Sequence, residues 1–466
     1  MTARAPRAAG PATAAPTAVV PYFQVHQPFR LRRYTYFDIG VDARWFDDAE
    51  NERIVRRVAE RCYVPTNALL LRLVEETEGR FRCAFSVSGT AIEQMERWAP
   101  EALEGFVALA RTGCVEVLGE TSHHSLAFLA DDLEFRAQVA DQAARVERVF
   151  GRRPTAFRNT ELVIDEHVAR TVEDLGFVAL LGEGSDGLLG WRSPARVYGV
   201  EGCERLRLLL RHYRLSDDIA FRFSNRAWDQ WPLTAEKFAR SLAALPADDV
   251  AVNLFMDYET FGEHQWKETG IFDFLAAMPR AVLADPRFAF RTPTEVATAH
   301  APAARLPIPH PISWADAERD LGAWLGNPMQ RAANLALYAL LPAVRASGRA
   351  DLVAAWRRLS TSDHLYYMFT KRTSDGDVHE HFSPYASPHD AFIAFMNVLD
   401  DLERRAGAAA TDAVAAGTPP ASAALPPAPA RAPDPLSRPL PPPPASPATG
   451  AAQPSKRSRR RVPRGG

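Results

Sequence analysis

Short apolar runs recur along the chain: AVVPYFQV, FRCAFSVS, CVEVLGE, TAFRNTE, FVALLGEG, LRLLLRHYRL and VAVNLFMDYE. They are rich in Val, Phe and Leu, as buried strands are. Between them, apolar residues fall at intervals of three and four. In EFRAQVADQAARVERVF, for example, Val139, Ala143, Val146 and Phe150 share one face of a predicted helix. Strands that alternate with helices pair in parallel through crossover connections. Seven strands by Asp257, with FAFRTPTEV (Phe288 to Val296) as a candidate last element, predict an α/β fold. A (β/α)7 barrel of distorted TIM-like form accounts for them economically, because it removes sheet edges and covers both faces. An open doubly wound sheet is the alternative. No glycine fingerprint for a dinucleotide follows the first strand, however, which ends in QVHQPFR.

The pattern changes at HAPAARLPIPHP, His300 to Pro311, where four prolines mark a boundary. From Ser313 to Arg405 the periodicity is helical, clearest in MQRAANLALYALLPAVRAS and SPHDAFIAFMNVLDDLERR. The expected organisation is therefore a barrel over 18–305 and a helical subdomain over 306–405. Residues 1–17, interrupted by Pro6, Pro11 and Pro16 before any sustained apolar stretch, are expected to form a disordered leader. From residue 406 onward Ala and Pro dominate, so no core can form there, and a disordered tail with a basic end, KRSRRRVPRGG, is expected.

Composition narrows the partners. The 466 residues are 47% hydrophobic and 10% aromatic, ample for a large core. Lys and Arg number 55 against 57 Asp and Glu, a net charge of −2, which gives no general attraction to nucleic acid or to a membrane surface. Only the basic tail is a local exception. No stretch approaches the roughly 20 apolar residues that span a bilayer. Cys62, Cys83, Cys114 and Cys203 lie far apart with no C-x-x-C pair, which argues for reduced thiols in a cytoplasmic protein and against a disulfide framework or structural zinc site.

In parallel α/β folds, reacting groups collect at the carboxyl ends of strands. The first strand delivers His26 and Gln27 before Pro28, whose missing amide hydrogen ends a central strand. The third delivers Glu120, Thr121, Ser122, His123 and His124. Neighbouring side chains on a strand point to opposite faces, so one histidine faces the site while the other is structural. Position near the strand end favours Glu120 and His124 over Glu116. The fourth delivers Arg158, Asn159, Thr160 and Glu161, and the seventh Asp257 with Glu259. Any one of these carboxylates, taken alone, reads as a helix cap. Convergence at a barrel lip changes that reading, because a carboxylate from the fourth strand and one from the seventh would face each other across a crevice. Such a pair suits cleavage of a glycosidic bond, which needs an anion on one side of the sugar and a proton donor on the other. Trp228 and Trp231 in NRAWDQWP offer flat platforms for sugar rings, or else core packing.

Taken in order, HQP, GCVEVLGETSHHSL, FRNTELVID, FMDYETFGEH and SDHLYYMFTK…DGDVHEHFSPY resemble the five sequence regions of glycoside hydrolase family 57, and its α-amylase-type members most closely, from Pro21 to Leu399. The resemblance implies a (β/α)7 barrel, a helical segment closing over the cleft, and retaining chemistry on α-1,4-glucans through a glycosyl-enzyme intermediate. It calls for no cofactor and no metal. By position, Glu161 would be the nucleophile and Asp257 the general acid/base. His26 would line the donor-sugar subsite, and Asp363, His364, Tyr366 and Tyr367 would touch substrate. Gln27, Glu120, His124, Arg158, Trp228, Trp231 and Glu259 complete the candidate binding set. On this assignment Arg158, Asn159 and Thr160 hold Glu161 ionised, while Phe255, Met256 and Phe261 desolvate Asp257 so that it keeps its proton. Three other readings stay open. The same pair serves a 4-α-glucanotransferase or branching enzyme. A metal-dependent polysaccharide deacetylase or mannosidase would use His26, His124 and Asp257 on zinc, although H-Q-P is not the pattern such sites show. A non-catalytic glucan-binding protein would have lost Glu161 or Asp257.

Overall fold

Side chains alternate along each strand of the central sheet, and that alternation decides what the barrel encloses. The computed structural model describes residues 15–371 and 383–415; the expected leader up to residue 14, the 372–382 part of the fifth sequence region and the tail beyond 415 lie outside them. Seven parallel strands form a closed ring. They are β1 (Thr17–Val25), β2 (Cys83–Val87), β3 (Val115–Val117), β4 (Ala156–Arg158), β5 (Ala179–Glu183), β7 (Arg207–Arg211) and β8 (Ala251–Asp257). Between β3 and β4 the ring closes through a single bridge, Gly119 to Phe157. The Gly119 amide donates to Ala156 and the Arg158 amide to Gly119, each at 2.9 Å. These seven are the strands expected from the apolar runs, and the barrel is the expected (β/α)7 form.

Three further strands dress the ring. β6 (Val197–Val200) lies antiparallel to β7, β9 (Phe288–Phe290) pairs with the start of β1, and β10 (Arg305–Leu306) pairs with β6. The apolar runs do not include β6 or β10. VYGV is four residues interrupted by a glycine, and β10 is two residues inside the proline-rich boundary, so neither carries a strand pattern long enough to see.

On β1, Ala18, Val20 and Tyr22 belong to the cluster inside the barrel, whereas Val19, Phe23 and Val25 belong to the larger cluster between barrel and outer helices. β2, β4, β5 and β8 repeat the rule, with Ala84, Ala156, Ala179 and Ala251 inside at the base and Leu181 and Phe255 higher up. Continued by one or two more residues, the inward positions become Gln24 and His26, Ser86, Glu120, Arg158, Glu183, Arg211 and Asp257. The interior thus grades from small apolar residues, through a layer with Tyr22 and Phe255 rings 4.9 Å apart, to a polar lip.

Outer helices begin and end where their sequences dictate. In Asp132–Phe150, the Asp131 side chain accepts from the Glu134 amide at 2.8 Å, and Gly151 takes the left-handed conformation that ends the helix. Val139, Ala143, Val146 and Phe150 are buried on one face, as their spacing predicts. Beyond β10, Pro328–Ala346 starts from an Asn327/Gln330 capping box and packs against Pro388–Ala415. The latter buries Ala391, Phe395, Val398, Leu402 and Ala406 and runs past the Arg405 boundary expected from sequence. Between them, Asp363–Tyr366 forms a single turn directed at the barrel lip. Among the described residues no helix is long and apolar enough to cross a membrane, and all four cysteines are free and buried.

Candidate active site

The polar lip draws its side chains into one hydrogen-bonded chain. His124, which follows β3, spans two carboxylates: Nδ1 lies 3.0 Å from Glu120 Oε2 and Nε2 lies 3.2 Å from Glu161 Oε1. Burial works against a charge on its ring, but bonds and charges from Glu120 and Glu161 outweigh it and raise the imidazole to about 9. It is therefore a cation at neutral pH. The other oxygen of Glu161, Oε2, accepts from the Trp314 indole at 2.7 Å.

Burial alone would raise the Glu161 carboxyl. The His124 bond and charge, the Arg158 charge and the Trp314 bond reverse that, and hold it below its ordinary value. Asn159 and Thr160 do not share in this, contrary to the sequence expectation: Asn159 donates to the Val163 carbonyl at 2.9 Å, and the Thr160 hydroxyl pairs with Thr121 at 3.0 Å. Both shape the turn that presents Glu161. Glu161 and Leu162 sit there at φ 56° and 52°, a left-handed conformation costly for residues with a Cβ.

Asp257 ends β8 on the inward side. Burial, and then the negative charge of Glu161, push its carboxyl up to about 7, against the pull of Arg158, His124 and Arg211. The two carboxylates are thus driven apart in proton affinity, one ionised and the other protonated near neutrality. Arg158 is fully buried beneath them, its guanidinium 4.8 Å from the centre of the Phe255 ring.

His26 stacks on His124 with ring centroids 4.1 Å apart. Its Nδ1 meets the Ser88 hydroxyl at 2.7 Å and its Nε2 meets Asp363 at 2.9 Å. Burial and the adjacent His124 charge lower its proton affinity. Despite burial, His26 holds the Asp363 carboxyl far below the ordinary range. Gln27 and Glu259 form a neighbouring cluster with Tyr63. Gln27 Nε2 lies 3.3 Å from Glu259, the Tyr63 hydroxyl also donates to Glu259, and burial followed by the Asp257 charge pushes Glu259 up to about 8.

The structure brings together His26, Glu120, His124, Arg158, Glu161, Asp257 and Asp363, with Gln27 and Glu259 adjoining. His364 turns instead into the helical part, buried against Phe395 and Tyr367. Trp228 packs against the large core cluster, and Trp231 is 41% exposed beneath Arg226, so neither joins the polar lip. Of the two offered as sugar platforms or core packing, Trp228 is a packing residue, whereas Trp231 keeps part of its ring exposed. Glu116 bonds the amide of Thr294 at 3.0 Å and is structural. The sequence reading missed Trp314, and also Ser86, whose hydroxyl donates to Glu120 at 2.9 Å. Trp314 follows the proline-rich boundary, and nothing in ISWADAERD marks it as part of a site on β4. His26, His124 and Asp257, the zinc set considered for a deacetylase, do meet at the lip, but both ring nitrogens of His26 and of His124 already have protein partners, and among the described residues no three or more His, Cys, Asp or Glu are arranged to hold a metal ion.

Comparison with known proteins places this lip. A protein of Methanocaldococcus jannaschii named "Putative alpha-amylase" is 38% identical over 397 residues, covering 82% of this chain and 83% of that one. The fold is shared with a 4-alpha-glucanotransferase from Thermococcus litoralis at a TM-score of 0.59 and 15% identity, over 75% of this chain. This chain spans only 56% of the length of that glucanotransferase. A branching enzyme from Thermococcus kodakaraensis matches at a TM-score of 0.57 and 14% identity, over 76% of this chain and 86% of that one. The sequence model of Glycosyl hydrolase family 57 matches residues 21–309, from β1 to the segment that leads into Trp314, and so takes in both carboxylates: the chain is a glycoside hydrolase and belongs to that family.

Proposed function

We propose that the chain is a retaining α-glucan hydrolase of α-amylase type, cleaving α-1,4 linkages with Glu161 as nucleophile and Asp257 as general acid/base. One observation carries this: two neighbouring carboxyls at the barrel lip have opposite proton affinities, Glu161 lowered and Asp257 raised to about 7. An ionised Glu161 attacks the anomeric carbon as Asp257 donates its proton to the departing glycosidic oxygen. Asp257 then removes a proton from the water that hydrolyses the ester on Glu161. Burial of the lip strengthens the charge interactions that steer both steps. His26, fixed between Ser88 and Asp363, is placed to line the sugar site beside His124, and Gln27, Glu120, Arg158 and Glu259 complete its polar wall. The described helices beyond β10 act as a cover, supported by the bonds that Asp363 and Trp314 make to barrel residues. The four buried free thiols suit a reducing cytoplasm.

A mechanism-based glycosyl fluoride should label Glu161, and Asp257→Asn should accumulate the labelled enzyme. Product analysis on maltooligosaccharides and amylose separates the uses of one intermediate. Shorter oligomers alone mean hydrolysis, longer ones mean transfer, and new 1,6 linkages mean branching. Full activity of Asp257→Asn on unactivated glucan would overturn the assignment.

A further inference from the structure

Backbone strain in this molecule is concentrated at one place. Six described residues other than glycine have positive φ: Glu78, His124, Glu161, Leu162, Asp316 and Arg319. All but Glu78 belong to the Glu161 turn, to its partner His124, or to the segment Ser313–Asp320 that carries Trp314. Each such residue costs on the order of 1–3 kcal/mol unless its surroundings enforce it, and strain of this kind gathers where geometry is used.

The surroundings do enforce it. Ile164 and Ile312 exchange both backbone hydrogen bonds at 2.9 Å, which clamps this segment antiparallel to the Glu161 turn. The Trp314 amide then donates to the Glu161 carbonyl at 3.3 Å. The segment is tied to itself as well: the Ser313 amide donates to Arg319 at 3.0 Å, the Ser313 hydroxyl to the Asp320 carbonyl at 2.6 Å, and the Arg319 guanidinium to the Trp314 carbonyl. The indole ring is fixed on both sides. Phe255 meets it edge-on at 5.0 Å, and the buried Arg211 guanidinium lies 5.5 Å from its centre. Arg211 in turn is held by Glu183 at 3.2 Å and by Asp217. An indole N–H donates and never accepts, so it favours a carboxylate oxygen and offers nothing to a protonated Glu161 beyond a weak bond.

We propose that Trp314 is a positioning residue for the nucleophile, and that the strained segment Ser313–Asp320 exists to press its indole N–H onto Glu161 Oε2 while His124 holds Oε1. The proposal rests on Glu161 being the nucleophile. With both oxygens engaged, the carboxylate plane is fixed before substrate arrives, and the cost of ordering it has been met during folding.

Trp314→Phe keeps the ring against Phe255 and removes only the N–H. It should lower kcat about 10- to 100-fold with KM changed less than about threefold, since the lost bond is to the nucleophile. Losing a donor to the charged form also raises the Glu161 pKa, so the acid limb of kcat/KM should move to higher pH. Labelling of Glu161 by the glycosyl fluoride should slow by a similar factor. Arg319→Gln, which loosens the segment and leaves the indole in place, should produce the same changes more weakly, with thermal unfolding followed for both variants. Labelling of Glu161 at the wild-type rate in Trp314→Phe, with an unmoved acid limb, overturns this inference alone. A label on a residue other than Glu161 in the wild-type enzyme overturns the assignment and this inference together.

Discussion

On the proposed assignment, Glu161 and Asp257 divide the work because the protein treats two chemically similar groups differently. The proposed mechanism needs Glu161 ionised and Asp257 protonated, so kcat/KM should rise as pH climbs through the lowered Glu161 pKa and fall as it passes about 7. A pH–rate profile checks both limbs. Asp257→Asn should reduce kcat/KM on unactivated glucan by about 10²–10⁴-fold, and on a substrate with an acidic leaving group it should abolish the upper limb. Stability provides a second reading of the same group. A carboxyl whose folded pKa is raised loses stability as pH rises from its unfolded to its folded value, here from about 4 to about 7. Asp257→Asn has no such loss, so its stability advantage over wild type should open across that window and stay constant above it. The margin should reach a few kcal/mol at most, measured by denaturant unfolding at pH 4 and pH 8. These two carboxylates were legible in the sequence because each follows an apolar run closely, Asp257 as the last residue of β8 and Glu161 in the turn three residues past the end of β4. What sets their proton affinities was only partly legible: Arg158 lies three residues from Glu161, whereas His124 and Trp314 reach it from other strands and loops.

The ring of strands has a narrow seam. β3 and β4 meet only through Gly119 and Phe157, and a Cβ on Gly119 would lie 2.7 Å from the Phe177 ring and 3.2 Å from Phe157. Gly119→Ala should therefore destabilise by about 1–3 kcal/mol through overpacking, read as a lower Tm. Adding Phe177→Leu should recover part of it, because the edge that clashes belongs to Phe177. The seam lies one residue before Glu120, so loss of alignment there reaches His124 and, through it, Glu161. Strand order was readable from the seven apolar runs, since parallel pairing with crossovers leaves few arrangements. β6 and β10 escaped because their pairing is decided by neighbours and not by a local pattern.

The barrel and the helices beyond β10 are joined by charge as well as by packing. Glu134, buried on the outer helix Asp132–Phe150, accepts from Arg345 at 2.9 Å and from Arg357 at 2.7 Å. The Ser362 amide donates to the His124 carbonyl at 2.9 Å, which links the same helices to the active-site histidine. Glu134→Ala would remove the buried partner that Arg345 and Arg357 share and leave them only the more exposed Asp131 and Asp141, so a loss of about 1–2 kcal/mol is expected, less than for a fully buried pair. Thermal unfolding checks it. The helical pattern of this segment was plain from sequence, but its ties to the barrel were not, since each links residues more than two hundred positions apart.

That separation has a bearing on biosynthesis. His26 and its partner Asp363 are 337 positions apart, and Trp314 lies 153 beyond Glu161. A ribosome releases Glu161 and Asp257, the proposed nucleophile and proton donor, well before it releases the side chain that anchors His26. On the proposed assignment, a nascent polypeptide that has not yet reached Trp314 and Asp363 carries both acids without the side chains that aim them, and activity on glucan arrives only once those later residues have been made.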